Sequence, residues 1–313
     1  MQIFPRYDKL PLVITMKKQL QSSLILLFAT IIWGAAFVAQ SVGMDHIGPF
    51  TFQAARCLIA VVGLIPVIAI FDIFKKDGKS FFSRWADKKL WKVGILCGIP
   101  LFLACNLQQV GLVDVDAGKS GFLTAMYIVF VPLIGIFLKK KPSFLVPISV
   151  LLAVAGLYFL SCMGVTKIQI GDLMLRGCAV MFAVQITFVD LFAGDLDSLR
   201  LNAIQALVCA VLSAIVMVFT EKTTWQGLKD CTVPILYTGL LSMGMGYALQ
   251  IIGQKHMDST VASLIMSLES VFALVFGVLI LKETMTVWEI LGCVLLFAAV
   301  ILSQIPVPRR KKK

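Results

Sequence analysis

One acidic side chain stands in the middle of a long apolar run: Glu269, the single charged residue between Thr260 and Leu281. In such surroundings a carboxyl can bind a cationic group or carry a coupling proton, and a hydrogen-bonded packing role is the chemically silent alternative. Arg56 is the matching oddity, a lone base in the apolar stretch 50–71. Its long stem could carry the guanidinium out to an interface; otherwise it ties helices together or attracts a carboxylate. Neutral polar residues fill in the picture. Asn106 and Gln109 are one helical turn apart, as are Tyr247 and Gln250, so each pair shares a helix face. Gln185 and Gln40 add amides, and Trp33, Phe37 and Tyr127 add aromatic surface. Amides, aromatics and one carboxyl would line a site for an organic solute, zwitterionic or cationic. Hydrogen bonding between helices accounts for the amides equally well.

Other chemistries find little support. His46 and His256 are isolated, and eight scattered cysteines form no Cys-x-x-Cys pair, so they read as packing residues without a metal or disulfide role. No catalytic constellation, phosphate loop or cofactor motif is present in the sequence. The aspartates at 114, 116, 190, 195 and 197 fall at turns, where helix capping or solvation is expected.

The elements that must position these groups are helices in a membrane. With 59% hydrophobic and 14% charged residues and a mean hydropathy of +0.94, the chain lies far from soluble composition, where about 25% is charged. A span needs about 20 apolar residues. Ten windows qualify, at 22–43, 50–71, 93–113, 119–138, 144–163, 173–193, 200–219, 233–253, 260–281 and 287–305. Pro132 falls inside the fourth, where it could kink the helix as part of a gate or serve packing alone. The net charge of +11 is distributed unevenly: with the N-terminus inside, 21 Lys and Arg fall on the cytoplasmic side and six outside. That asymmetry places both termini in the cytoplasm, and the absence of an aromatic-basic platform argues against nucleic acid as a partner. The loop 75–92, with Phe81, Phe82, Trp85 and Trp91 among its bases, reads as an interfacial amphipathic segment. No cleavable signal is evident, and Met16-Lys17-Lys18 resembles a start, which would make residues 1–15 an extension.

The chain repeats itself. Leu107-Gln108, Gly111 and Asp116 recur as Leu249-Gln250, Gly253 and Asp258, and Val129-Phe130 as Val271-Phe272, all at an offset of 142. A weaker match at offset 149 pairs Trp33 with Phe182, Ala54 with Ala203 and Leu58 with Leu207. The expected organisation is a cytoplasmic tail (1–21), a five-helix repeat (22–163), an external linker (164–172), a second five-helix repeat (173–305) and a basic cytoplasmic tail (306–313). Five is odd, so the second repeat enters from the opposite side. The fold class is therefore an all-α membrane protein of ten helices in two inverted repeats, with a site at their interface near the midplane.

Several residues also resemble a known family. Trp33-Gly34-x-x-Phe37-Val38, Arg56, the run Gly118-Lys119-Ser120-Gly121-Phe122-Leu123-Thr124-Ala125 leading to Val131-Pro132, and Ser267-Leu268-Glu269-Ser270-Val271-Phe272-Ala273 with Lys282-Glu283 resemble EamA-type transporters of the drug/metabolite superfamily. The resemblance implies alternating-access transport, often export, of a small metabolite such as an amino acid across a bacterial plasma membrane. It also implies that spans 1, 3, 4, 6, 8 and 9 line the cavity while 5 and 10 are peripheral. Two departures stand out: Ser270 replaces a proline common in relatives, and Lys141 is the first-half counterpart of Glu283. The expected partners are a small-molecule substrate and the lipid bilayer, with proton coupling and a homodimer both compatible with the sequence. A channel, a lipid-carrier flippase and an intramembrane enzyme are the rival readings.

Overall fold

The computed structural model describes residues 12–75, 78–140, 144–161, 169–282 and 285–305. Lys141, Glu283, most of the 164–172 linker, residues 1–11 and the 306–313 tail lie outside this set. Among the described residues every regular element is helical. Among the described residues eight helical stretches are long and apolar enough to cross a membrane: Lys17–Met44, Pro49–Ile73, Lys88–Asp114, Ala117–Phe137, Ile170–Phe192, Ser198–Thr220, Thr232–Gln254 and Ser259–Ile280. Two more apolar helices, Leu145–Ser161 and Val287–Ser303, have 17 residues each. Exposed side chains such as Ile73, Phe137 and Phe219 suit a lipid-facing surface.

In chain order the elements are α1 (Leu12–Met44), α2 (Pro49–Ile73), the short α3 (Phe81–Trp85), α4 (Lys88–Asp114), α5 (Ala117–Ala125), α6 (Tyr127–Phe137), α7 (Leu145–Ser161), α8 (Ile170–Phe192), α9 (Ser198–Thr220) and the short α10 (Trp225–Asp230). The remainder is α11 (Thr232–Leu236), a π-helical segment (Tyr237–Gly246), α12 (Tyr247–Gln254), α13 (Ser259–Met266), α14 (Glu269–Phe276), a second π segment (Gly277–Leu281) and α15 (Val287–Ser303). Local sequence sets many of these starts. Pro49 opens α2, where a missing N–H costs nothing. Asp87, Asp197 and Asp258 cap α4, α9 and α13, and Thr286 with Glu289 forms a capping box on α15. Helix α1 begins well before the expected residue 22, and α4 begins at Lys88, so basic residues extend both helices beyond their apolar windows.

Packing exchanges partners between the halves. Helix α1 lies against α12, α13 and α14 of the second half, while α8 lies against α4, α5 and α6 of the first. Helices α2 and α9 pair, as do α7 and α15. The last pair touches at Gly156 and Gly292, where an added Cβ would come within 2.6–2.9 Å of the facing carbonyl oxygen. Small residues allow this approach, which supplies van der Waals contact where apolar lipid offers no hydrophobic drive. The α2/α9 pair is antiparallel. At one end Glu221, just after α9, accepts hydrogen bonds from the backbone N–H of Phe50 and Thr51 at 2.9 and 2.8 Å. At the other, Asp72 of α2 takes the guanidinium of Arg200 in the first turn of α9.

Candidate functional site

Two helical spans tighten at matching places. Between α5 and α6 the backbone makes i→i+3 bonds at Met126 (Met126 N–H to Leu123 C=O, 3.4 Å; Val129 N–H to Met126 C=O, 3.0 Å). Between α13 and α14 the same occurs at Ser267-Leu268 (Leu268 N–H to Ile265, 3.1 Å; Ser270 N–H to Ser267, 3.1 Å). The first residues after these interruptions are Tyr127 and Glu269, and the Tyr127 hydroxyl donates to Glu269 Oε1 at 3.0 Å. Helix α6 runs through Pro132 without a break, so the irregularity sits at Met126 instead.

A third irregularity completes this centre. The π segment Tyr237–Gly246 widens the helix before α12 and leaves carbonyls for side chains to claim. Trp33 Nε1 donates to the Ser242 carbonyl at 3.3 Å, and Asn202 donates to those of Met243 and Gly244 at 3.0 and 2.8 Å. Gly246 is required here, since a Cβ would meet Trp33 Nε1 at 2.5 Å. The indole thereby reaches Tyr247, ring centroids 5.1 Å apart, and Tyr127 meets Phe182 edge-on at 6.4 Å.

Around these groups lies a cavity of about 30 Å³, room for roughly one water. Trp33, Phe37, Arg56, Tyr127, Gln185, Tyr247, Gln250 and Glu269, all singled out from the sequence, share its wall. Gln40, Gln108, Phe182, Ser242 and Met266 join them. Asn106 does not: it donates to Ser213 Oγ at 2.8 Å and ties α4 to α9. Gln109 also lies off the wall, donating to the Gln40 carbonyl at 3.4 Å and Met44 Sδ at 3.2 Å. The residue of α4 that reaches the cavity is Gln108 instead, while Cys105 lies 3.4 Å from the Tyr247 hydroxyl. The offset motif marks Gln108, but the turn-spaced amide pair points to the neighbouring face.

The cavity has two different polar walls. Toward the Glu221 end, Arg56 Nε donates to Gln53 Oε1 at 2.7 Å and Nη1 to Gln40 Oε1 at 2.6 Å. Arg56 is 2% exposed, so its guanidinium does not reach out to an interface; two amides hold it inside the bundle. Among the described residues no carboxylate pairs with it, and Nη2 donates to no acceptor. Toward the Arg200 end an amide chain runs Gln205, Gln185, Gln250, Gln254, with links of 3.1, 3.0 and 3.0 Å. Glu269, buried between these walls, accepts the Tyr127 hydroxyl at Oε1; among the described residues it joins no ion pair and its Oε2 accepts no hydrogen bond.

Ion pairs close the bundle at either end. Lys119 meets Asp172 at 2.6 Å, joining α5 to α8. At the other end Lys140 pairs with Asp190 and donates to Ser259 Oγ at 3.1 Å, joining the ends of α6, α8 and α13. Asp190 is thus a half-buried ion-pair partner, contrary to the expectation of a cap or a solvated turn. No group of three or more His, Cys, Asp or Glu side chains that could hold a metal occurs among the described residues.

Eight helices long and apolar enough to cross a bilayer among the described residues, gathered around a cavity of amide, aromatic and charged side chains, define a multi-pass membrane protein. Comparison with known proteins refines this class. The model of the EamA-like transporter family matches twice, over residues 21–162 and 169–304. An uncharacterized transporter of Archaeoglobus fulgidus is 31% identical over 296 residues, covering 93% of this chain and 88% of its own. The uncharacterized transporter YoaV of Bacillus subtilis is 25% identical, covering 90% of this chain and 96% of its own. A crystal structure at 18% identity superposes with a TM-score of 0.72 over 90% of this chain and 96% of the other, which shows a shared fold. The chain belongs to the EamA-like transporter family, whose members are multi-pass membrane proteins.

Proposed function

We propose that the protein is a secondary transporter that exports a small amphoteric metabolite, of the size and charge pattern of an amino acid, by alternating access across the plasma membrane. The observation that carries this reading is the pair of poles lining one cavity, Arg56 on one wall and Glu269 between the walls, each with hydrogen-bonding capacity left over and neither ion-paired among the described residues. A substrate carboxylate would take the free donors of Arg56. Its ammonium would lie against Glu269 and the faces of Trp33 and Tyr247. A cavity of about 30 Å³ is too small for such a solute, so in this reading the helices around it move apart to admit it. Glu269 would hold either a proton or the substrate cation, and this exchange couples transport to protons. The outward direction rests on the family resemblance.

In this reading α7 and α15 also cross the bilayer, giving ten spans in two inverted repeats. Three features support it. The exchanged packing of α1 and α8 is what a two-fold axis would produce. Tyr127 touches Glu269 and Cys105 touches Tyr247, pairs that are each 142 residues apart, and a residue in contact with its own repeat mate lies on the axis. The Thr51/Glu221 and Arg200/Asp72 clamps, related by the 149 offset, occupy opposite ends of one antiparallel pair. The Lys and Arg asymmetry supports a cytoplasmic Arg200 end, on the same side as both termini.

Counterflow in proteoliposomes tests the function. Vesicles loaded with one amino acid or related zwitterion at a time should accumulate the labelled form of a true substrate, saturably and with a pH dependence. Ohmic current without counterflow would reject a carrier. Preference for a solute lacking either charge would reject the two-pole site.

A further inference from the structure

Gln108 of α4 and Gln250 of α12 both line the central cavity. They are repeat mates at the offset of 142 that also relates Tyr127 to Glu269. Both are buried, and each commits its amide nitrogen to the protein. Gln108 Nε2 donates to Thr124 Oγ1 at 3.2 Å. Gln250 Nε2 donates to Gln185 Oε1 and Gln254 Oε1, both at 3.0 Å. The partners differ between the halves, since the offset places Met266 opposite Thr124 and Leu112 opposite Gln254. The outcome is nevertheless the same: the oxygen of each amide accepts no hydrogen bond among the described residues.

The direction of the second amide is fixed from behind the cavity. Gln254 Nε2 donates to the Ile186 carbonyl at 3.2 Å, which leaves Gln254 Oε1 to accept and obliges Gln250 Nε2 to donate. Gln250 Oε1 is then the uncommitted atom of its amide. Glu269 adds a third oxygen: Oε1 takes the Tyr127 hydroxyl at 3.0 Å, while Oε2 accepts nothing among the described residues. Three helices thus bring three side chains with an open acceptor to one space of about 30 Å³, room for roughly one water. An ammonium head occupies about that room and carries three N–H donors. Hard metal ions take about six or more oxygens, so three suit them poorly.

We propose that Gln108 and Gln250 are specificity-determining residues which, together with Glu269, accept the three N–H groups of a primary ammonium and turn away its N-methylated forms. This rests on the two-pole reading, in which Glu269 faces the cation of the solute. Charge alone cannot make the distinction, because a trimethylammonium keeps the charge and still meets the faces of Trp33 and Tyr247. The amide oxygens can. Each added methyl removes one donor and leaves one buried acceptor unpaired, the circumstance in which a hydrogen-bonding site discriminates most strongly.

Thermal unfolding of the full-length protein in detergent, titrated with leucine and its N-methyl, N,N-dimethyl and N,N,N-trimethyl derivatives, tests this by mass action. The leucine side chain suits Phe37, Phe182 and Met266 of the lining, and at neutral pH all four compounds keep a carboxylate and a positive nitrogen. The half-saturating concentration should rise about 10- to 100-fold from leucine to N-methylleucine, the scale of a hydrogen bond to a charged group, and rise again with each further methyl. Gln108→Met and Gln250→Met, which keep side-chain length, should each bring the ratio between leucine and N-methylleucine toward one. The preference for leucine over leucine methyl ester, which belongs to Arg56, should persist in both. Leucine and its trimethyl form binding alike while the ester is rejected would overturn the role of the amides and leave the two poles standing. An ester that binds as well as leucine, with N-methylation still penalised, would remove the carboxylate pole and uphold the ammonium site. A variant that weakens all four compounds by one common factor would assign that glutamine to packing and overturn its part in the proposal.

Discussion

The two polar walls of the central cavity occupy equivalent places in the two halves of the chain and differ in one respect that matters. Arg56 and Gln205 are related by the 149 offset. On one wall a guanidinium is held by Gln53 and Gln40; on the other an uncharged amide joins a chain of three further glutamines. Duplication supplied one scaffold twice, and divergence charged only one side of it. The neutral wall leaves only an uncharged amide donor, Gln205 Nε2, without an acceptor among the described residues, whereas the other wall presents the charge of a guanidinium held by two amides. Specificity for the carboxylate should therefore reside where the walls depart from each other, and mechanical closure where they agree.

The largest effect belongs to the position between the walls. Glu269→Gln keeps the shape and an acceptor for Tyr127 but removes the titratable group. Membrane abundance should stay normal while counterflow is abolished or loses its pH dependence, because an ionisable group inside the membrane is retained for function. Glu269→Asp should be milder. Full activity with an unchanged pH profile would reduce Glu269 to a packing residue and leave the walls alone to explain recognition.

Making the walls alike is the next test. Arg56→Gln should raise the half-saturation concentration of a carboxylate-bearing solute about 10- to 100-fold, since a hydrogen bond to a charged group contributes about 1.5–3 kcal/mol. The methyl ester of the same solute should lose far less. Gln205→Ala should change uptake by less than about 5-fold, because a neutral hydrogen bond contributes about 1 kcal/mol. Equal losses from both substitutions would mean that the walls act alike and that the charge of Arg56 is incidental.

Much of this arrangement is legible in the sequence because it rests on rare residues. Glu269 and Arg56 are conspicuous against apolar runs, and the repeated Leu-Gln-x-x-Gly pattern exposes the duplication. Other features depend on contacts that no local pattern carries. The turn-spaced pair Asn106 and Gln109 marks a genuine helix face, yet Ser213, Gln40 and Met44 claim that face for packing, and only the fold reveals that Gln108 is the cavity residue. Nor does composition forecast the π segment at Tyr237–Gly246, which exists because Trp33 and Asn202 from other helices take up its carbonyls. The same holds for Arg56: its partner Gln53 is a turn away in sequence, but Gln40 comes from α1, and that bond keeps the guanidinium from the interface.

The smallest expected effects concern the ends of the α2/α9 pair, which extend the comparison from the cavity walls to the caps above and below them. Glu221 caps α2 through two backbone N–H groups and the Thr51 hydroxyl at 2.6 Å, so Glu221→Ala should lower stability by about 0.5–2 kcal/mol, the range of a lost N-cap. Asp197, which precedes α9, should matter less. Burial pushes its carboxyl up, but the hydrogen bond from Lys75, the backbone N–H of Arg200 and the two nearby cations more than offset that and hold it below the ordinary aspartate range. A depressed folded value has a defined consequence: the stabilisation is complete above the unfolded value of about 3.9 and is lost as pH falls through the lower folded one. Asp197→Asn should thus cost at most about 1 kcal/mol, as partly solvent-screened pairs do. The deficit should be constant from pH 5 to 8 and shrink only in stronger acid, with counterflow unchanged. Unfolding midpoints of the two proteins measured across that range decide it. A deficit that grows or vanishes between pH 5 and 8 would mean that Asp197 titrates there, and that the cations around it do not hold its charge as the geometry requires.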